Sequence, residues 1–395
     1  MLHRGKVLAA LEAKAGRFAG YDQHLHDALT AYEEALAQVQ TLDQATLEAR
    51  LAGIPWPGAR PTAEHDRFPD LVVPFAEQWE NHEQARTWAK SVLTGVPTIA
   101  VDGSQITPSK ELSLPVGAVQ IGWFVNPHTA AADYVKDVVF EVLAPDELGD
   151  TGGMASGFPD WRINWRRFEG ECRRLVTFME TYRDAPVKPV CFFDGSLILS
   201  FVQHMQPERQ RQYVQAVTDL LAFSERYRVP LVGYVDTSYA NDLTTMLDAV
   251  TGRSGSERIS DGALLRSRMT WGDRTTAWIC ARDDAVEPVG GSKYYERLCF
   301  TYLKTTADRP PARLDVPRWL LEDDQLAHTL DVVRAECVVG NGYPYAVETA
   351  DAVAVITMQD RERFYRLLQE FAEKEDLPLR FSRKSVSKSG RRTKS

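Results

Sequence analysis

The same acidic turn closes an apolar run twice in this chain, in TIAVDGSQI at 98–106 and in VCFFDGSLI at 190–198. Asp102 and Asp194 each follow β-branched and aromatic residues of the kind found in strands buried on both faces. An unpaired carboxylate away from water is very costly there. Two side by side also repel, each raising the pKa of the other unless a cation lies between them. The pattern calls for a sheet that brings both Asp residues to one place, and for a divalent ion. Hard ions such as Mg²⁺ or Mn²⁺ take oxygen ligands and keep several waters, so one or two carboxylates plus a substrate phosphate suffice. Gly103 and Gly195 allow a tight turn or the close approach of a phosphate chain. Ser104 and Ser196 are placed to bond the carboxylates or a phosphate. One Asp-Gly after a strand is an ordinary turn; two copies on buried strands argue for a site.

Around these strands the chain reads as α/β. Residues 20–53 recur apolar at three- and four-residue spacing and predict one or two amphipathic helices, an N-terminal α-helical arm suited to dimerisation or partner docking. IPWPGARPTAEHDRFPD, rich in Pro and Gly, predicts a loop, and 75–95 a further helix. VGAVQIGWFVN and DYVKDVVFEVLA alternate as strands, and a Gly-rich loop, DELGDTGGMASG, precedes a helix from about Asp160 to Tyr182. The second Asp strand, a helix near 207–227 and VPLVGYVDTSY suggest a right-handed parallel crossover. ISDGALL predicts a capped helix, GDRTTAWIC and RLCFTYLKT paired strands, and DQLAHTLDVVRAEC and RERFYRLLQEFAEK helices. The expected division is a helical region at 1–94, a catalytic domain at 95–378 and a basic tail at 379–395. From Arg380 to Ser395 there are seven Lys or Arg and no acid, a composition too polar to pack and able to hold phosphates by charge alone.

The 395 residues carry a formal net charge of −9, which argues against a protein coated in positive charge, although distribution matters more than the sum. Five cysteines, widely spaced and without a CxxC pair, read as reduced, buried thiols. No stretch approaches the roughly 20 apolar residues that span a bilayer, so the expectation is a cytoplasmic protein with no membrane contact. His24 and His26 lie two apart on a helix and point to different sides, which speaks against a zinc enzyme. A GxxxxGK[ST] phosphate loop is missing, which speaks against an ATPase.

A third carboxylate is expected from the helix WRRFEGECRRLVTFME before the second Asp strand. Glu171 lies four residues after Arg167 and four before Leu175, on a face that can point toward the sheet, with Glu169 and Glu180 as competitors. Trp161 and Trp165 are candidate stacking platforms for unpaired bases, or core residues at helical spacing.

With these residues in hand, the chain resembles the NurA nuclease family, over roughly residues 95–370. The resemblance rests on Asp102-Gly103-Ser104, Arg167 with Glu171, and Asp194-Gly195-Ser196-Leu197, followed in order by SDGALL around Asp261, GDRTTAWI with Arg274, and GYPYAVETADAVAVI. It implies an RNase H-like mixed sheet flanked by helices and a Mn²⁺-dependent DNase that resects 5′ ends and cuts single strands. It also implies a homodimer working beside a hexameric HerA-type ATPase translocase in the recombinational repair of DNA ends. The Tyr of its Gly-Tyr-Pro is Tyr343. A metal-side His eight residues later is Asp351 here, which can bind a hard cation but cannot act as a neutral imidazole. A strand end that often carries Lys in relatives reads VGYVDTSY, with Asp236 at the turn.

The resulting expectation is a two-metal-ion deoxyribonuclease. Asp102, Glu171, Asp194 and Asp351 would hold two Mn²⁺ or Mg²⁺ ions astride the scissile phosphate, Tyr343 would orient water or a phosphate oxygen, and Arg274 and Lys304 would contact the DNA backbone. The rivals are a catalytically impaired adaptor that holds DNA ends, single-stranded or duplex, for the translocase, and an RNase H-like ribonuclease.

Overall fold

The computed structural model describes the chain except residues 1, 69, 110, 111, 114, 149–159, 254–257, 283–293, 378 and 380–395. Most of the Gly-rich loop and nearly all of the basic tail therefore lie outside the described residues. Chain contacts form two compact units, residues 1–78 with 234–322, and residues 79–233 with 323–395.

The second unit holds the strands Thr98–Ile106 (β1), Gly117–Asn126 (β2), Val135–Leu143 (β3) and Val190–Asp194 (β4), together with the start of the strand Leu231–Val235 (β5), which ends in the first unit. Its helices are His82–Leu93 (α1), Asp160–Thr181 (α2), Pro207–Tyr227 (α3), Leu326–Val339 (α4), Tyr345–Ala354 (α5) and Met358–Lys374 (α6). In space the strands run β5-β4-β1-β2-β3. β1, β2 and β3 form an antiparallel meander, and β4 then joins the free side of β1 in parallel. This mixed sheet flanked by helices has the strand order of an RNase H-like core, as expected. β1 and β4 are buried because their apolar runs have helices to cover them: Ile99, Ala100, Phe192 and Phe193 are at most 4% exposed, as are Leu175 and Met179 of α2.

Three local readings need correction. The first Asp strand does not stop at its Asp-Gly-Ser but continues to Ile106, since β2 pairs with it throughout, Asp102 opposite Gly122 and Ile106 opposite Ala118. The helix expected over 75–95 begins only at His82, where the Asn81 side chain accepts from the backbone N–H of Glu83 and Gln84. The segment expected as loop contains the strand Gly58–Pro61 and a helical turn, Glu64–Arg67.

In the first unit, Gly58–Pro61 pairs antiparallel with Trp278–Ala281, which in turn pairs with Leu298–Leu303 and that strand with Ala312–Pro317. The helices Ala15–Val39 and Gln44–Leu51 bury Tyr32, Leu36, Val39, Leu47 and Leu51. Ser260 caps the short helix Asp261–Leu265. All five cysteines of the chain are buried and free. Among the described residues no helix is long and apolar enough to cross a membrane.

Candidate active site

Parallel pairing of β1 with β4 ends with Val101 against Phe193, so the next residue on each strand, Asp102 and Asp194, stands at the same end of that pairing, Asp102 within β1 and Asp194 at the tip of β4. β4 stops there because Gly195 has φ +129°, a left-handed backbone that glycine alone adopts without strain. Gly103 answers a different need. A Cβ on it would lie 2.5 Å from Glu171 Oε1 and 2.6 Å from Arg167 Cγ, so the missing side chain is what lets α2 deliver these two groups against β1.

Of the three candidate glutamates on α2, only Glu171 is buried, at 4% exposure. Glu169 turns away to ion pairs with Arg166 and Arg173, and Glu180 is exposed. Arg167 Nη1 donates to Glu171 Oε1 at 2.7 Å and to the carbonyl of Gly103 at 3.4 Å. The Tyr343 hydroxyl donates to Asp194 Oδ1 at 3.2 Å. Asp351 stands exposed on α5, close enough to act electrostatically on both Asp102 and Asp194. Asp102, Glu171, Asp194, Tyr343 and Asp351 thus share one neighbourhood, and Arg167 is a cation within it that residue-by-residue reading left out of the site. The i, i+4 spacing of Arg167 and Glu171 was the available signal.

The electrostatics are those of crowded acids. Burial raises the carboxyl of Asp102 to about 6, helped by Asp194 and Asp351 and opposed by the Gly103 N–H and by Arg167. Burial raises Glu171 further, to about 8, with Asp102 and Asp194 adding to the effect and Arg167 opposing it. Asp194 keeps contact with solvent at the rim, yet the protein packed around it and Asp351 raise its carboxyl too, against the pull of Tyr343 and Arg167.

Among the described residues no group of three or more His, Cys, Asp or Glu side chains stands ready to hold a metal ion. The donor set nevertheless fits a hard divalent cation: every candidate atom is a carboxylate oxygen, and such an ion needs one or two of them with water and phosphate completing its shell. Asp102 and Asp194 can supply that pair. Glu171 is held by Arg167 through Oε1, which leaves Oε2 as the oxygen it could offer an ion.

The remaining candidates lie elsewhere or are engaged. Ser104 Oγ accepts from the backbone N–H of Ile356 at 3.2 Å, and Ser196 Oγ bonds the backbone of Ile198. Arg274 and Lys304 belong to the first unit, where both are buried. Arg274 makes a two-pronged pair with Glu64 at 2.5 and 2.8 Å, and Lys304 Nζ donates to the carbonyls of Arg266 and Arg309. Neither offers a free cation to a phosphate. The Trp161 ring is covered by the guanidiniums of Arg209 and Arg162, 4.0 and 5.0 Å away, and Trp165 packs edge-on to Tyr213.

The NurA domain model matches residues 96–356, well over half of the chain and all of the acidic cluster. No curated protein matches it. Similar solved structures include an endonuclease V from Bacillus subtilis, 13% identical over 78% of this chain and 98% of that one, with a TM-score of 0.31. A NurA with manganese is 11% identical over 74% and 94%, TM-score 0.39, and a NurA bound to dAMP and manganese is 10% identical over 68% and 86%, TM-score 0.35. Likenesses this distant add no argument beyond the strand order described above. The domain match spans both Asp strands, the helix of Glu171 and the Gly-Tyr-Pro corner, and the chain therefore belongs to the NurA domain family.

Proposed function

We propose that this protein is a metal-dependent deoxyribonuclease whose centre is the Asp102–Asp194 pair. The observation that supports the reading most is the register of β1 and β4, which delivers two carboxylates to one end of a buried sheet within a NurA domain. Asp102 and Asp194, joined by Glu171 and Asp351, would hold Mn²⁺ or Mg²⁺. Two such ions would supply Lewis acidity and an attacking water of lowered pKa, so no protein nucleophile is required.

The chain's own residues prepare that chemistry. The Tyr343 hydroxyl fixes one oxygen of Asp194 and favours its ionised form. Arg167 partly neutralises the acids and orients Glu171. The family resemblance places a metal-side His at the position of Asp351, so here a further carboxylate oxygen would take the place of an imidazole nitrogen. The activity we infer is 5′-to-3′ exonuclease and single-strand endonuclease action at DNA ends, in a cytoplasmic homodimer that works with a HerA-type translocase. The family resemblance supports that finer reading.

The test is cleavage of single-stranded DNA, blunt duplex and RNA–DNA hybrid with Mn²⁺, Mg²⁺ or chelator. The reading expects metal-dependent DNA cleavage that Asp102→Asn and Asp194→Asn each abolish while the fold and DNA binding persist. DNA binding without cleavage under every metal would establish the adaptor instead, and preference for the hybrid the ribonuclease.

A further inference from the structure

Glu336 is a buried carboxylate, 1% exposed, that takes no part in the acidic cluster. It lies near the end of α4, and its side chain reaches across the Gly-Tyr-Pro corner to α5. Oε2 accepts from the backbone N–H of Ala346 at 2.8 Å, and Oε1 accepts from Thr98 Oγ1 at 2.8 Å. The first N–H groups of a helix have no partner within it, and Pro344 at the N-cap of α5 makes no side-chain cap. Glu336 supplies that cap from the preceding helix.

His128 completes the joint. Its Nδ1 lies 2.8 Å from the carbonyl of Val96, which can only accept, so Nδ1 carries hydrogen. Its Nε2 faces Glu336 Oε1 at 3.5 Å. What the carboxylate provides is a fixed distance between two elements of the active site. Thr98 stands four residues before Asp102 on β1, while Ala346 lies three residues after Tyr343 and five before Asp351. At its far end α5 is tied to β1 again, through Ile356 N–H and Ser104 Oγ.

We propose that Glu336 is a positioning residue of the acidic site, holding α5 against β1 so that Asp351 and Tyr343 stand at a set distance from Asp102 and Asp194; this rests on the nuclease reading above. The test compares Glu336→Gln, Glu336→Leu and Thr98→Val with wild type. It measures kcat and KM on single-stranded DNA with Mn²⁺, the Kd for Mn²⁺ by electron paramagnetic resonance, and amide exchange at Ala346, each referred to the folded fraction. Leucine should lower kcat and weaken Mn²⁺ binding by about tenfold or more, the usual scale for losing an outer-shell support, with KM nearly unchanged and Ala346 exchange accelerated. Glutamine keeps an acceptor for Ala346 and adds an amide donor, from which the Thr98 hydroxyl oxygen or His128 Nε2 can accept, and should recover most of both. A lowered melting temperature with wild-type kcat and Mn²⁺ Kd per folded molecule would overturn the proposal.

Should the leucine variant fail to fold, Thr98→Val decides, because it cuts only the strand side of the joint. It should lower kcat and Mn²⁺ affinity by about threefold, a fraction of the full outer-shell effect, and wild-type values would overturn the proposal. If wild type itself cleaves no DNA, the nuclease reading fails, and the Mn²⁺ Kd and exchange data still judge Glu336.

Discussion

Replacing Glu171 by Gln should stabilise the metal-free protein, and increasingly so as pH rises. The carboxyl is 4% exposed, and burial with two neighbouring aspartates raises it from 4.5 to about 8. A carboxyl raised on folding contributes fully below its unfolded pKa, and that contribution is lost as pH climbs through the folded value. At about 1.4 kcal/mol per pH unit, holding Glu171 ionised above pH 8 costs up to about 5 kcal/mol, even with Arg167 at 2.7 Å. Gln keeps the volume and cannot ionise. In thermal unfolding with chelator, the variant should melt within about 2–3 °C of wild type at pH 5 and roughly 10–20 °C above it at pH 8.5, on the scale of about 2–4 °C per kcal/mol for a unit of this size. Mn²⁺ should reverse the order, because an ion that binds only the folded state stabilises wild type and the variant lacks a ligand for it. A gap that stays flat or narrows with rising pH would refute the claim that Glu171 is an unneutralised acid in the site.

Three further outcomes follow from the same geometry. Tyr343→Phe removes the hydrogen bond that favours ionised Asp194, so the acid limb of kcat/KM should move to higher pH; an unmoved limb would detach Tyr343 from the reaction. Gly103→Ala sets a methyl 2.5 Å from Glu171 Oε1, and should cost about 1–3 kcal/mol in unfolding experiments together with most of the cleavage activity; a neutral result would show that α2 stands farther from β1. Arg274→Ala strands Glu64 in the first unit and should destabilise the protein by about 3–5 kcal/mol in thermal unfolding, without changing DNA affinity per folded molecule; the reverse would restore Arg274 as a DNA contact.

The features readable in the sequence were those with a local cause. The repeated Asp-Gly-Ser marked both strands of the site, and the helical face shared by Glu171 and Leu175 selected the one glutamate that turns inward. What escaped depended on distant partners. Gly58–Pro61 has no period of its own and is a strand because Trp278–Ala281 pairs with it. Arg274 reads as a basic surface residue until Glu64, 210 positions away, takes its guanidinium. β1 runs past Asp102 because β2 holds it there. Glu336 looks like one more polar position on a helix, and only the α4–α5 corner turns it toward Thr98 and Ala346.

Soaking crystals in Mn²⁺ and mapping its anomalous scattering would locate the ion directly. A peak about 2–2.5 Å from a carboxylate oxygen of both Asp102 and Asp194, absent from crystals of Asp194→Asn, is the expected result. Ions bound only elsewhere, with both aspartates unligated, would contradict the assignment of this pair as the catalytic centre.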